Sequence, residues 1–159
     1  MPLIRDITRS DYSMVEEVLY ANHLGNGRFY EPEGIDVIVA EVHGSVVGAA
    51  EFRLHCDFGH DEGREAHPGE QTFILTMAVA DTARRSGVGR ALLVEIARRS
   101  HKAGDTFLAL VPLEGEDATS RQAFFTACGL TLYGPDTAGA AWGCPLSRIL
   151  NSDVTSSSI

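Results

Sequence analysis

The residue types best suited to phosphate binding stand together in one short run, Arg84-Arg85-Ser86-Gly87-Val88-Gly89. Guanidinium groups match phosphate oxygens in shape and charge, and glycine lets an anion approach backbone N–H groups closely. Apolar residues precede the run and recur at helical spacing after it, so the run is predicted to open a helix, whose N-terminus attracts anions. We therefore predict a diphosphate-binding turn made of Arg84, Arg85, Ser86, Gly87, Val88, Gly89 and Arg90.

The two glycines of this run are compatible with more than a diphosphate turn. Close packing of a helix against a strand also requires glycine in some proteins, with no ligand involved. A dinucleotide-binding fold needs a third glycine where Leu92 stands, and it needs an acid at the end of the next strand, whereas Asp105 precedes a predicted strand. A P-loop is excluded because no Gly-Lys-Ser or Gly-Lys-Thr is present. The packing explanation stays open from the residues alone.

The elements that must position this turn predict a mixed α/β fold, with an antiparallel beginning and one crossover helix. Residues 44 and 45 are expected to form a hairpin turn, and the strand before the diphosphate turn is expected to be buried on both faces. We predict a single domain over residues 1–149 and a disordered tail at 150–159. The predicted strands cover residues 3–8, 35–42, 46–52, 72–79, 106–113, 130–133 and 141–149, and the helices cover 12–19, 88–102 and 120–127.

The bulk composition excludes several classes of protein. With 159 residues, 44% of them hydrophobic and 22% charged, the chain has the composition of one globular domain. A net charge of −9 argues against a nucleic-acid partner, and no apolar run is long enough to span a membrane. The start of the chain lacks the apolar segment of a signal peptide, so we expect a cytoplasmic protein.

The cysteines and histidines suggest neither a disulfide framework nor a metal site. The three cysteines are far apart and form no CxxC pair. His55, His60 and His67 stand with Asp57 and Asp61 in a polar stretch, but their spacing matches no standard ligand pattern. The sequence therefore predicts no bound metal.

Three segments resemble the GNAT superfamily of N-acetyltransferases. Arg84, Gly87 and Gly89 match its Q/R-x-x-G-x-G/A motif. The stretch Val46-Val47-Gly48 resembles the usual G-x-x-V-G of the preceding strands, and residues 124–130 resemble F-Y-x-x-x-G-F. In element order the resemblance runs from about residue 3 to 148. It implies an acyl-CoA N-acyltransferase fold with splayed fourth and fifth strands, here 72–80 and 106–112, and acetyl-CoA as cosubstrate.

The resemblance also implies how acetyl-CoA would be held. The backbone of residues 85–90 would bind its pyrophosphate, and the main chain of Met77 and Val79 would pair with the pantetheine arm like an added strand. The N–H of Val79 would polarise the thioester carbonyl. Phe125 stands where the family has its tyrosine general acid, and phenylalanine has no proton to give.

A general base is the least determined part of the predicted site. Glu51 on the third strand is the first candidate, with Glu70 and His55 behind it. Glu51 could equally face solvent on an alternating strand, and a water-relayed base would leave no trace in the sequence. Together with Val79, whose N–H would polarise the thioester, Glu51 completes the set of predicted catalytic residues.

The function predicted from these observations is acetyl transfer from acetyl-CoA to an amine by direct transfer. The alternative, motivated by Phe125, is a non-catalytic acyl-CoA-binding sensor or interaction module. The expected partner is a small-molecule amine or a protein amine, and a homodimer is left open. Segments 22–30, 56–70 and 134–140 are expected to select the acceptor.

Overall fold

The computed structural model describes residues 2–21, 29, 31–56, 70–112, 118–133 and 141–157. In this part of the chain, seven strands form one sheet in the order β1-β2-β3-β4-β5-β7-β6. The strands are β1 (Leu3–Asp6), β2 (Asp36–Val42), β3 (Ser45–Cys56), β4 (Gln71–Val79), β5 (Phe107–Leu110), β6 (Thr131–Tyr133) and β7 (Ala141–Pro145). The α-helices within the same residues are α1 (Tyr12–Ala21), α2 (Val88–Lys102), α3 (Ala118–Ala127) and α4 (Leu146–Ser157).

The sheet is mixed, as the sequence predicted. Strands β1 to β3 pair antiparallel, β4 and β5 pair parallel, and β7 runs antiparallel to both β5 and β6. The parallel pair is joined by the crossover helix α2, as a parallel connection requires. The mixed α/β class is confirmed. No helix among the described residues combines the length and the apolar character needed to cross a membrane.

The chain groups into two compact units, Met1–Arg53 with Leu75–Ile96, and Leu54–Ile74 with Ala97–Ile159. In the first unit, α1 packs its apolar face on the sheet through Val15, Val18 and Leu19. Those side chains meet a layer of small and β-branched residues from β2, β3 and β4: Val39, Val46, Ala49 and Ala78. Helical spacing on one side and strand alternation on the other produce this layer.

Helix α2 packs closely on β3 in the first unit because residue 48 is glycine. A Cβ built at Gly48 would lie 3.0 Å from Val88 Cγ1 and 3.2 Å from Leu92 Cδ1. Both partners are completely or almost completely buried. Packing therefore explains this glycine, and it fixes where the N-terminal turn of α2 lies on β3.

The second unit is built around β5, whose four residues are all buried. The pairing of β4 with β5 runs from Gln71 opposite Phe107 to Ile74 opposite Leu110. The polar residues Thr72, Ser100 and Asp105 are also buried in this unit. Buried polar groups require hydrogen-bond partners, and these residues supply them to one another.

Several predicted boundaries were wrong. The hairpin turn is His43-Gly44, with φ of 51° and 79°, because Val42 already pairs with Ser45. The fourth strand is not buried on both faces: β5 ends at Leu110 opposite Ile74, and Leu75 beyond that pair is 40% exposed. The fifth strand is likewise shorter than 106–113.

The predicted last strand at 141–149 is half strand and half helix. Strand β7 ends at Pro145, and α4 begins at Leu146. Leu146 and Ile149 are both buried, and their separation of three residues puts them on one helix face. Helix α4 then continues to Ser157, through most of the segment that the sequence predicted as a disordered tail.

Candidate active site

The chain turns sharply where β4 ends. The N–H of Ala80 donates to the carbonyl of Val47 at 2.7 Å, which closes the end of the strand. A single 3-10 turn, Asp81–Ala83, follows, and the N–H of Ala83 donates to the carbonyl of Ala80 at 2.9 Å. These bonds hold the path that leads from the sheet to α2.

The predicted diphosphate turn has a left-handed backbone at two positions. Arg85 has φ of 64° and Gly87 has φ of 86°, a region that residues with a side chain seldom adopt. The N–H of Ala91 donates to the carbonyl of Gly87 at 3.0 Å, which makes Gly87 the residue at which α2 is capped. A Cβ at Gly87 would meet no atom of the described residues within 4 Å. Packing therefore does not require glycine at 87, whereas the backbone conformation does.

The exposure of the turn suits an anion site. Arg84, Arg85, Ser86 and Gly87 are exposed, and Val88 is only 1% exposed. Gly89 and Arg90 are half-buried. Arg84 lies 3.1 Å from Asp81, and Ser86 donates to the carbonyl of Ala83, so both side chains stay over the turn. The structure thus brings the predicted residues into one exposed turn anchored by a buried valine.

Glu51 lies half-buried on β3 and is held by a neighbour that sequence reasoning missed. The hydroxyl of Thr76, on β4, donates to Glu51 Oε1 at 2.7 Å. Glu51 therefore has one carboxylate oxygen fixed in place instead of both being free in solvent. If the register between β3 and β4 were known, it would show that Thr76 is a neighbour of Glu51. The sequence alone does not give that register.

Met77 and Val79 are half-buried on β4. Ala78 between them is buried in the core beneath α1. Because side chains alternate along a strand, Met77 and Val79 point to the other face of the sheet from Ala78.

The two alternative bases, His55 and Glu70, meet in the second unit with a third group. His55 Nδ1 lies 2.5 Å from Glu70 Oε2 and 2.7 Å from Asp105 Oδ1. The hydrogen bond and charge of Asp105 raise the pKa of the His55 imidazole above its usual value, and Glu70 acts in the same direction. The sequence did not predict that Asp105 lies beside His55, because the two residues are 50 positions apart in the chain.

Phe125 is 8% exposed, and its ring centroid lies 5.4 Å from that of Phe124. It is an apolar core residue, so it supplies no proton. Cys128 nearby is also buried. Residues 22–28, 57–69 and 134–140, which carry most of the predicted acceptor-selecting segments, lie outside the described residues, as do His60, His67, Asp57 and Asp61.

Residues 33–130 match the family model described as the acetyltransferase (GNAT) domain. The chain belongs to the GNAT acetyltransferases. The matched range includes the Gly48 packing position, the whole turn from Arg84 to Gly89, and the Phe125 position. Membership supports acetyl transfer that depends on an acyl-CoA as the general activity of this fold.

Solved structures agree with this family. A GNAT-family acetyltransferase from Staphylococcus aureus Mu50 superposes with a TM-score of 0.66 and 15% identity, covering 92% of this chain and 99% of its own. A GNAT phosphinothricin acetyltransferase from Sinorhizobium meliloti, in complex with acetyl-CoA, has a TM-score of 0.64 and 20% identity over 91% of this chain and 88% of its own.

The ribosomal-protein-S18-alanine N-acetyltransferase from Escherichia coli is also similar, with a TM-score of 0.61 and 18% identity over 92% of this chain and 94% of its own. At these identities the likeness concerns the fold. A comparison with curated protein sequences finds no match to this chain.

Proposed function

We propose that this protein is an N-acetyltransferase that moves the acetyl group of acetyl-CoA directly to an amine. The observation that carries the proposal is the exposed turn from Arg84 to Gly89 at the start of α2. Family membership supports acyl-CoA as the donor in general.

The turn fits a pyrophosphate on three counts. Arg85 and Gly87 have a left-handed backbone, and such residues occur in the turns whose successive main-chain N–H groups form anion-binding concavities. The N-terminus of α2 adds its dipole and its N–H groups. The exposed guanidinium groups of Arg84 and Arg85 add positive charge that a diphosphate would pair with. A Cβ at Gly87 would have no atom of the described residues within 4 Å, so a ligand has room to approach the turn here.

The acyl end of the donor would lie along β4. In this proposal the main chain of Met77 and Val79 pairs with the pantetheine arm, and the N–H of Val79 donates to the thioester carbonyl oxygen as negative charge develops there. Acetyl-CoA supplies the activated acetyl group.

Glu51 prepares the acceptor in this proposal. An amine attacks only as the neutral base, so its ammonium proton must leave first. Glu51 accepts that proton, directly or through one water, at the carboxylate that Thr76 holds by its hydrogen bond at 2.7 Å. The departing CoA thiolate takes, through water, the proton that the attacking nitrogen loses as the amide forms, because the buried Phe125 has none to give.

The acceptor is an amine of one of two kinds. Two of the similar structures are named for their acceptors, which are phosphinothricin in one and an alanine of ribosomal protein S18 in the other. We favour a small-molecule amine, and the net charge of −9 suits a cationic acceptor. In this proposal the protein acts in the cytoplasm, and neither a nucleic acid nor a membrane takes part.

A turnover assay tests this function. Purified full-length protein is incubated with acetyl-CoA and a panel of small amines, polyamines and short peptides, and release of the CoA thiol is followed. We expect thiol release above the acetyl-CoA hydrolysis rate with at least one amine, together with a product heavier by one acetyl group. Donor binding without turnover for any amine would favour the second candidate.

That second candidate is a non-catalytic acyl-CoA-binding module, and Phe125 in the family's tyrosine position favours it. Such a module would bind acetyl-CoA at the same turn as the proposed enzyme but would not transfer the acetyl group. Turnover at the rate of the acceptor-free control across the panel, with acetyl-CoA bound, is its expected result.

A further inference from the structure

We propose that His55, Glu70 and Asp105 form a binding site for a divalent transition-metal ion, for which Zn²⁺ is the reference ion. Each residue offers one ligand atom, and these atoms lie within 4.8 Å of one another. One imidazole and two carboxylates are a donor set that Zn²⁺ and its neighbours in the first transition series accept. All three residues belong to one compact unit.

Asp105 is held as a metal-ligating carboxylate is usually held. Its side chain has no exposed surface. Its Oδ2 accepts hydrogen bonds from the His55 backbone N–H at 3.0 Å and from the Thr72 hydroxyl at 2.6 Å. Thr72 is in turn 2.7 Å from the Ser100 hydroxyl. These outer bonds fix the carboxylate and leave Oδ1 toward the imidazole, which is how second-shell groups orient a ligand.

Main-chain bonds fix the other two ligands beside Asp105. The N–H of Thr106, the residue after Asp105, donates to the carbonyl of Glu70 at 2.9 Å. His55 is the second-last residue of β3 and has φ of 57°, a left-handed conformation held by its own N–H bond to Asp105. The three ligands come from three separate chain segments, so the fold itself assembles the set.

Charge distinguishes a metal ion from a proton as the group that joins these side chains. A histidinium between two carboxylates leaves the cluster with one net negative charge, and its single Nδ1 hydrogen points well at only one oxygen. Yet carboxylate oxygens of both Glu70 and Asp105 approach Nδ1 within 2.7 Å. A divalent ion neutralises both carboxylates and takes all three atoms as ligands.

The side chains have room for the small movement that an ion requires. Ligand atoms around tetrahedral zinc lie about 3.3 Å apart, so Nδ1 and the carboxylate oxygens must separate by roughly 0.7 Å. The Glu70 and His55 side chains are 65% and 48% exposed, so they can move while Asp105 stays fixed. Water completes the coordination at this open side.

Calorimetry with Zn²⁺ alone tests the proposal, using metal-free full-length protein at mildly alkaline pH, where a ligating imidazole is neutral. We expect saturable one-to-one binding, weakened at least tenfold by His55→Asn and by Glu70→Gln. Asparagine tolerates the left-handed backbone at 55, and glutamine keeps the shape of Glu70, so both variants should fold. Circular dichroism and thermal unfolding confirm that they do, and Co²⁺ replacement should give the visible absorption of a tetrahedral site.

Two control variants separate this site from three other histidines of the chain. His101→Asn removes an exposed histidine of α2, and the double variant His60→Asn/His67→Asn removes histidines elsewhere in the sequence. Both controls should bind Zn²⁺ like the unchanged protein. The proposal is overturned if the unchanged protein shows no saturable binding, if His55→Asn and Glu70→Gln bind as tightly as it does, or if only the His60/His67 variant loses binding.

Discussion

One hydrogen bond distinguishes Glu51, the candidate base, from an ordinary carboxylate that faces solvent on a strand. Strand alternation alone allowed Glu51 to face solvent, and the structure shows it half-buried with Thr76 Oγ1 at 2.7 Å. A donor on one carboxylate oxygen fixes the orientation of the other. The proposed role of Glu51 thus depends on a partner that lies 25 residues further along the chain.

Removing the carboxylate charge or its orienting hydroxyl should lower the rate by different amounts. General base catalysis contributes about 10²- to 10⁴-fold, so Glu51→Gln should reduce kcat at least about 100-fold. Thr76→Val, which leaves the carboxylate in place, should reduce kcat by roughly tenfold, since it removes only the orientation. Steady-state kinetics with the best amine measures both.

The control for this pair is Thr131→Val, which makes the same change on an exposed strand position of β6. It should leave kcat unchanged. Acetyl-CoA affinity should be equal in all of these variants, because the proposed roles of Glu51 and Thr76 concern the acceptor and not the donor. Full activity in Glu51→Gln would remove Glu51 as the base and point to a water-relayed route.

Among the elements, the start of α1 is secured by a network of hydrogen bonds around Asp11. Arg5 on β1 donates to both carboxylate oxygens of Asp11, at 2.7 and 3.0 Å, and the Thr8 N–H donates to the same group at 2.7 Å. Arg5 also donates to Glu41 at 2.8 Å. One guanidinium group therefore joins the first strand to the second strand and to the turn that leads into the first helix.

This network should make stability depend on pH. The Arg5 hydrogen bond, opposed by burial and aided by Thr8, lowers the pKa of Asp11 to about 2 from its usual value of 3.8. A lowered folded-state pKa contributes stability above the unfolded value and loses it as the pH falls through the folded value. The contribution is on the order of 2 kcal/mol and should disappear between about pH 4 and pH 2.

Asp11→Asn tests that expectation by urea unfolding at several pH values. The variant should be less stable than the unchanged protein at neutral pH, and the difference should shrink as the pH falls below about 4. Asp36→Asn, at an exposed position of β2, should change stability by less than about 0.5 kcal/mol at every pH. A constant difference for Asp11→Asn down to low pH would contradict the assigned network.

At the scale of the whole molecule, the sequence predicts those structural features that are determined by residues close together in the chain. The turn from Arg84 to Gly89 could be predicted because glycine spacing and helix onset are both local, and the mixed α/β class followed from the strand and helix periods. The helix α4 was missed because Leu146 and Ile149 fit a weak strand pattern as well as a helix face.

Long-range pairings escaped the sequence for a physical reason. His55 and Asp105 are joined by main-chain and side-chain bonds across 50 residues, and only the sheet brings them together. The spacing of His55, His60 and His67 along the chain matched no ligand pattern, and it could not show that Glu70 and Asp105 lie beside His55. The local sequence around Gly48 also did not show why this residue is glycine, which is that α2 packs directly on it.

The central claim, that acetyl-CoA binds at the turn before α2, is tested by calorimetry on two alanine variants. Gly87 and Gly104 have φ of 86° and 95°, and a Cβ at either would meet no atom of the described residues within 4 Å. Alanine at each position therefore carries a similar backbone cost of about 1–2 kcal/mol, but only Gly87 lies in the proposed pyrophosphate turn. The account predicts saturable acetyl-CoA binding that Gly87→Ala weakens at least tenfold and Gly104→Ala leaves unchanged. No binding by the unchanged protein, or equal affinity in Gly87→Ala, would contradict it.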